Sequence, residues 1–532
     1  MKKLKYILPT LFLLGTLFFA CVDDTGSYDY DDNAGVEIKF DTAGIENRLV
    51  LSYDLMPGQH VEFEPNVIYP HPERLRYRWF YLTTDGGAYR PKQEGNALVY
   101  PPADTVGYAR KLDWVVDLAP GYYRFYLLAE DTVTGVRGYY QAEERYVRVA
   151  QEGNLGGLYL LCEHGNETDI DVHRSATMMI VGGDGQHLNY YSGLAGKRLP
   201  GKPKFIRGSL GSSAYLVCTE QTMVRLNRVG LQTMDTWEDM FSQTPATFNP
   251  QEVSKSYTCD YLINDGKLYT LYTDKPNSRK FSAPIAGDYE AGDYLSFAYY
   301  SSGKNGAQTI YDKKNRCFRP YYAKKSNIGS FNHTVADAIV DANHLPGEPV
   351  AILNATANQT YAILELDGTR YLYRYDFYGL DDEGDFAADG SKSITDLSNC
   401  EGISQAKYFT GMTATDGMNL AAYSFYYATD KAVYSFSPVK GGDNSAYTLY
   451  ECEATEEVTA IYAGGSMGGG WPSSDCLLWL AVWDEAKQEG KLIEYEMNHT
   501  TGEPRAKWTS HDNPYITTGW GKIRSMVFLD AE

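Results

Sequence analysis

"GKIRSMVFL", Gly521 to Leu529, has the pattern of a β-strand, and it stands alone at the end of the chain with no hairpin after it. "LYLLCEHGNETDIDVHR", residues 158–174, is the complementary case: a hairpin that lacks a strand before it. Between the two, one unit recurs at intervals of roughly 40 to 65 residues, a period that marks a repeat architecture. The unit is a tyrosine-rich strand, a polar turn and a second strand. It returns at "AYLVCTEQTMVRLNR" (214–228), "KLYTLYTDKPNSRKFSA" (267–283), "QTIYDKKNRCFRPYY" (308–322), "TYAILELDGTRYLYRYD" (360–376), "AYSFYYATDKAVYSF" (422–436) and "LLWLAVWDEAKQEGKLIEYEM" (477–497). A shorter strand precedes each of these six: "KFIRG" (204–208), "DYLIN" (260–264), "YLSFA" (294–298), "VAILN" (350–354), "AKYFT" (406–410) and "EVTAIYA" (457–463). The orphan strand and the orphan hairpin complete each other if the chain closes into a ring. Closure is how a β-propeller protects sheet edges that would otherwise template aggregation. Residues 151–532 are therefore expected to form a β-propeller, seven-bladed with six or eight blades left open, closed by the C-terminal strand. "MDTWEDMF" (234–241) is expected to be a helix inserted between blades.

Upstream, residues 36–150 show period-two alternation broken by turn residues, the pattern of a sandwich. "LDWVVDL" alternates Leu112, Trp114, Val116 and Leu118, and "YYRFYLLAED" puts Tyr123, Phe125, Leu127 and Ala129 on one face. Leu118-Ala119-Pro120-Gly121-Tyr122-Tyr123 has the L-x-P-G-x-Y arrangement of a tyrosine corner. "RYRWFY" (76–81) supplies Trp79 at a mid-strand core position. The fold class is all-β: an Ig-like or PKD-like sandwich followed by the propeller.

The first residues fix the expected location. Lys2, Lys3 and Lys5 precede an apolar stretch from Ile7 to Ala20, the layout of a signal peptide. That stretch is shorter than the roughly 20 residues a spanning helix needs. Ala20 stands before the cut and Cys21 after it, as in a bacterial lipobox, so the Cys21 thiol is the expected lipid-attachment site. Asp23, Asp24, Asp29, Asp31 and Asp32 then make residues 21–35 a solvated acidic tether. A net charge of −21 over 532 residues disfavours nucleic acid, whose phosphates require Lys and Arg. The other seven cysteines are scattered, none in C-x-x-C spacing; most read as buried strand residues, with one or two disulfides left open.

The acidic tether, "RYRWFY" with the L-x-P-G-x-Y corner, "GGLYLLCE", "INDGKLYTLY" and "GWGKIRSMVF" together resemble the PKD-like family lipoproteins of Bacteroidetes. That resemblance implies an accessory outer-membrane lipoprotein encoded near nutrient-uptake pairs of the SusC and SusD type, facing the cell exterior.

Chemistry-bearing motifs are sparse. "GGSMG" (464–468) matches G-x-S-x-G, but glycines and Pro472 follow where the helix of a nucleophile elbow should start. Glu163, His164, Asp169, Asp171 and His173 raise a metal question, since the last three share a strand face at spacing two; a polar hairpin is the reading preferred. "GLDDEGDFAADGS" (379–391) has Phe386 and Lys392 where a calcium loop needs Gly and Glu, so it reads as an acidic surface loop. No catalytic residue, cofactor or metal is expected. The expected function is non-catalytic binding of a glycan or peptide for uptake, with Trp471 and Trp520 on Gly-rich loops as candidate stacking residues for polysaccharide utilisation. The alternative is a propeller-based glycoside hydrolase or lyase, which needs two carboxylates at the ring centre. Cys21→Ala is predicted to abolish incorporation of radiolabelled palmitate, and external protease on intact cells to digest the wild-type chain; protection from the protease would contradict outward exposure.

Overall fold

The computed structural model describes residues 37–41, 54–55, 60–84, 92–94, 97–99, 104–119, 121–141, 147–149 and 156–529. Within the last span it leaves out 179–184, 210–212, 256–258, 273–278, 298–307, 322–324, 335–337, 355–358, 380–385, 412–423, 439–442, 465–474, 499–500 and 506–512. The leader, Cys21, the acidic tether and Trp471 lie outside the described residues. The described chain is all-β: besides strands it has one six-residue helix, Tyr190–Ala195, and short 3-10 turns. Among the described residues no helix is long and apolar enough to cross a membrane.

The chain divides into two compact units. One holds His60–Val115 and Tyr122–Tyr146 with the residues up to Leu51; the other holds Val147–Glu532 with Ser52–Gln59 and Val116–Gly121. In the first, strand Leu75–Thr84 pairs antiparallel with Gly121–Asp131, from Leu75 opposite Asp131 to Thr84 opposite Tyr122. Asp104–Gly107 and Arg137–Gln141 flank this pair, and His60–Phe63 pairs separately with Leu112–Val115. Trp79 is completely buried, edge-on to Phe63 and Tyr140 with ring centroids 5.9 and 6.3 Å away. Its indole N–H donates to the Arg110 carbonyl at 3.1 Å, so the one polar atom of the ring is satisfied. Trp79 is thus the core residue that the alternation of "RYRWFY" predicts.

In the second unit the described strands form seven sheets, antiparallel but for His333–Thr334, which pairs parallel with Phe386–Asp396 in the fifth, in a propeller-like arrangement. The first contains Gly157–His164, Glu167–Arg174, Gly185–His187 and Leu199–Pro200. The next five start at Pro203–Ser209, Pro250–Lys255, Ala291–Phe297, Glu348–Asn354 and Tyr408–Gly411, and the seventh at Glu456–Gly464. The first sheet has no leading strand of its own. Lys522–Leu529 fills that place, pairing with Gly157–Glu163 from Gly157 opposite Leu529 to Glu163 opposite Lys522.

Middle strands such as "LYLLC", "AYLVC" and "LLWLAV" are apolar at every position rather than alternating. Both of their faces are covered, which is the physical reason for a continuous apolar run. Leu158 to Cys162 and Leu477 to Ala481 are all fully buried. Each pair of consecutive sheets shares its own hydrophobic cluster. Tyr159, Leu161, Tyr215 and Val217 join the first to the second. Cys218 with Leu262, and Tyr261 with Ile310, continue the series. Phe318 with Tyr375, Ile363 with Tyr427, and Tyr426 with Leu480 carry it to the seventh sheet. Leu158, Leu160, Trp479, Leu492, Met526 and Phe528 then join the seventh sheet to the first. The leading strands pack on one another in the same order, and Lys522–Leu529 touches both Glu456–Gly464 and Pro203–Ser209.

Two expectations are corrected. The third hairpin is not 267–283: it is Cys259–Asn264 with Lys267–Tyr272, joined at "NDGK". "DYLIN" is its first arm, and Pro250–Lys255 is the leading strand. Asp265 and Gly266 have φ of 49° and 70°, the double positive-φ turn whose twist matches the strands it joins. "MDTWEDMF" is not a helix. Thr233–Thr236 is a strand, and a single turn follows in which the Thr236 carbonyl accepts the Asp239 and Met240 amides. That turn buries Trp237, Met240 and Phe241 together, so the helix-like spacing comes from one turn of chain. Gly266→Val is predicted to cost about 1–3 kcal/mol, because a β-branched residue is forced to positive φ. Asp265→Asn should stay within about 0.5 kcal/mol, since Asn tolerates that region. Chemical denaturation of both variants checks this; equal effects would contradict the turn.

Candidate functional site

The leading strands bring charged side chains of neighbouring sheets together. Arg207, on Pro203–Ser209, makes a fork with Glu252 of the third sheet, its Nε and Nη2 donating at 2.9 and 3.1 Å. Its Nη1 donates to the Ile206 carbonyl and, at 3.2 Å, to Ser525 Oγ on the C-terminal strand. Burial opposes the Arg207 charge while Glu252 and the nearby Tyr462 favour it, and the balance lifts its pKa. Tyr462 belongs to the seventh sheet, which is not a neighbour of the second. Arg524 repeats the pattern: its Nε donates to Glu163 at 2.7 Å, and Tyr408 of the sixth sheet feels its charge. A third of each guanidinium-bearing side chain stays open to solvent, 34% for Arg207 and 32% for Arg524. Neither arginine was singled out from the sequence. The available signal was the repeated Ile-Arg-small triplet, Ile206-Arg207-Gly208 and Ile523-Arg524-Ser525, a cation in mid-strand where apolar residues are the rule.

The metal question at residues 163–173 resolves into separate contacts. Asp169 accepts the Ser192 amide and hydroxyl and the Arg198 Nε at 3.0, 2.5 and 3.1 Å. Asp171 is buried, and burial pushes its pKa up to about 6 although the Cys162 thiol and the Asn189 and Gly521 amides favour its charge. A carboxyl poised near neutrality fits a general acid, but Asp171 is only 1% exposed and its neighbours are a thiol and amides. Glu163 is taken by Arg524 and Lys202. His173 faces the seventh sheet instead, 3.4 Å from Glu494 Oε2, stacked on Tyr515 and edge-on to Trp520. Among the described residues, the three side chains that could hold a metal together are His60, Glu62 and Asp113, all exposed. The Lys111 ammonium already sits 2.8 Å from Glu62, which opposes a cation there.

Of the expected site residues, Cys21 and Trp471 lie outside the described residues. Trp520 is described, and its expected exposure is corrected. It ends strand Tyr515–Trp520, is 2% exposed, and packs with Leu158, Trp479 and Leu492 between the first and seventh sheets. Its indole N–H donates to Thr517 Oγ1 at 2.9 Å. Flanking glycines suggested a loop; what they permit is close packing, since a Cβ on Gly521 would lie 3.1 Å from Cys162 and His164. The six described cysteines are free thiols, five of them buried. Phe386–Asp396, which holds the second part of the acidic segment, is a strand.

Residues 21–203 match the PKD-like family, so the match runs through the first unit and the opening hairpin of the second. No curated protein sequence matches the chain. Among solved structures, the chain is similar to the WD40 domain of SCAP from fission yeast, at 10% identity and a TM-score of 0.35, over 59% of this chain and 73% of that one. It is also similar to Hsv2 of Kluyveromyces lactis, at 9% identity and 0.34, over 65% and 92%. A third is apo AztD from Citrobacter koseri, at 10% identity and 0.33, over 84% and 100%. At such identities and scores the likenesses carry no argument about ligand or partner.

Glu494 is the anchor of the polar contact between the seventh sheet and the first. It accepts Ser175 Oγ at 2.7 Å and the Trp479 indole N–H at 2.6 Å. Burial alone would disfavour its charge, but His173, Ser175 and Trp479 more than offset that and hold its pKa below 4.5. A depressed carboxylate pKa contributes stability above its unfolded value and loses it as pH falls through the folded one. Glu494→Gln is predicted to cost about 1.5–3 kcal/mol at neutral pH. That difference should shrink in acid below about pH 4.5, as followed by denaturation against pH. A pH-independent difference would contradict the charged contact.

Proposed function

We propose that the seven sheets are the blades of a closed seven-bladed propeller, carried by a surface-exposed outer-membrane lipoprotein anchored through Cys21. The protein is a non-catalytic binding or accessory component of a nutrient uptake system for glycans or peptides, working beside SusC/SusD-type transporter components. The leader and acidic tether support the location, and the PKD-like match over residues 21–203 supports the kind of chain.

The observation that carries the binding reading is the solvent-accessible set of hydrogen-bond donors at the convergence of the leading strands, centred on Arg207 and Arg524. Guanidinium groups offer five donors and no acceptor, which suits oxygen-rich ligands. The hydrolase alternative asks for a protonated acid beside a free carboxylate. Glu163, Glu252 and Glu457 each sit in an ion pair with a lysine or arginine, which favours binding over catalysis, while the exposed Asp293 accepts from Gln251.

Purification from detergent-solubilised outer membrane, followed by a glycan and peptide array, tests this proposal. Transporter components should co-purify and at least one array ligand should bind without being cleaved. Neither partner nor ligand, or turnover of a polysaccharide, would remove the reading.

A further inference from the structure

The two arginines of the ring centre are not equivalent. Arg207 is committed on nearly every side, to Glu252, Ser525 and its neighbouring carbonyl. Arg524 is committed only through Nε, to Glu163. Its Nη1 and Nη2 have no acceptor among the described residues, although 32% of the side chain is open to solvent. With Nε fixed, the Nη1–Nη2 edge is the face left to present, and that edge matches both oxygens of a carboxylate or sulfate.

The local charge agrees with this chemistry. Glu163 is shared between Arg524 and Lys202, whose Nζ lies 3.6 Å from its other oxygen, so two cations face one carboxylate. The Lys204 ammonium on the adjoining leading strand meets only a carbonyl, that of Pro250. A neutral sugar or an apolar peptide would leave the Arg524 edge unpaired when it displaced water, a cost that an anionic group removes.

We propose that Arg524 binds the carboxylate or sulfate of an acidic saccharide at the centre of the ring. The inference rests on the binding function proposed above and narrows its ligand class.

Calorimetric titration of the purified full chain with an oligogalacturonate, a sulfated oligosaccharide, a neutral galacto-oligosaccharide and an acidic peptide tests it. The acidic sugars should bind about tenfold or more tightly than the neutral one, with an advantage that falls as salt rises. Arg524→Gln should reduce acidic-sugar affinity to the neutral level, and Arg524→Lys, which keeps the charge but not the paired donors, should weaken it about two- to fivefold with an unchanged melting curve. If Arg524→Gln fails to fold, Arg524→Lys carries the test. Equal binding of acidic and neutral sugars overturns the inference and leaves the uptake function standing. Preference for the acidic peptide, or acidic-sugar binding indifferent to both variants, also overturns it. Absence of any saccharide or peptide binding removes the proposed function as well.

Discussion

The pairing of Lys522–Leu529 with Gly157–Glu163 is the constraint on which the second unit depends. Every other sheet is built from strands that follow one another in sequence; the first borrows its leading strand from the far end of the chain. The two segments stand at opposite ends of the repeat region, so their contact carries the largest loop-closure cost in the fold. Two kinds of interaction offset that cost. Backbone hydrogen bonds pair what would be an exposed edge, and Leu158, Leu160, Met526 and Phe528 are buried against Trp479 and Leu492 of the seventh sheet.

The same seam holds a buried polar contact. His173 and Ser175 meet Glu494 and Trp479 in a region from which water is excluded, where an unpaired carboxylate would be strongly destabilising. Replacing either side alone therefore weakens the contact between the first and last sheets. Arg207 adds a third tie at the inner ends, holding the second sheet to the third through Glu252 and to the C-terminal strand through Ser525. Arg524 is tied there only through Nε, to Glu163, and takes a smaller part in this stitching.

Architecture was more legible in the sequence than the site, for physical reasons. Fully buried middle strands must be apolar throughout, so "LYLLC", "AYLVC" and "LLWLAV" announce themselves, and the unmatched "GKIRSMVFL" points to its partner. "PQEVSK" does not: a leading strand buries only part of its surface, so its composition is mixed, and the third hairpin was displaced onto the next apolar run. The turn residues "NDGK" were the better guide. Trp520 was misread because glycine neighbours mark either a loop or a tight approach, and packing decides between them. Arg207 and Arg524 were not legible as a pair, since 316 positions separate them and only the convergence of the strands brings them to one centre.

Hydrogen exchange on the intact chain addresses the closure most directly. If Lys522–Leu529 is the leading strand of the first sheet, its amides should exchange as slowly as those of Leu158–Glu163, and both segments should open together as denaturant is added. Rapid exchange across 522–529 while 158–163 stays protected would mean that the first sheet ends at Gly157–His164. The ring, and the centre it creates, would then not exist.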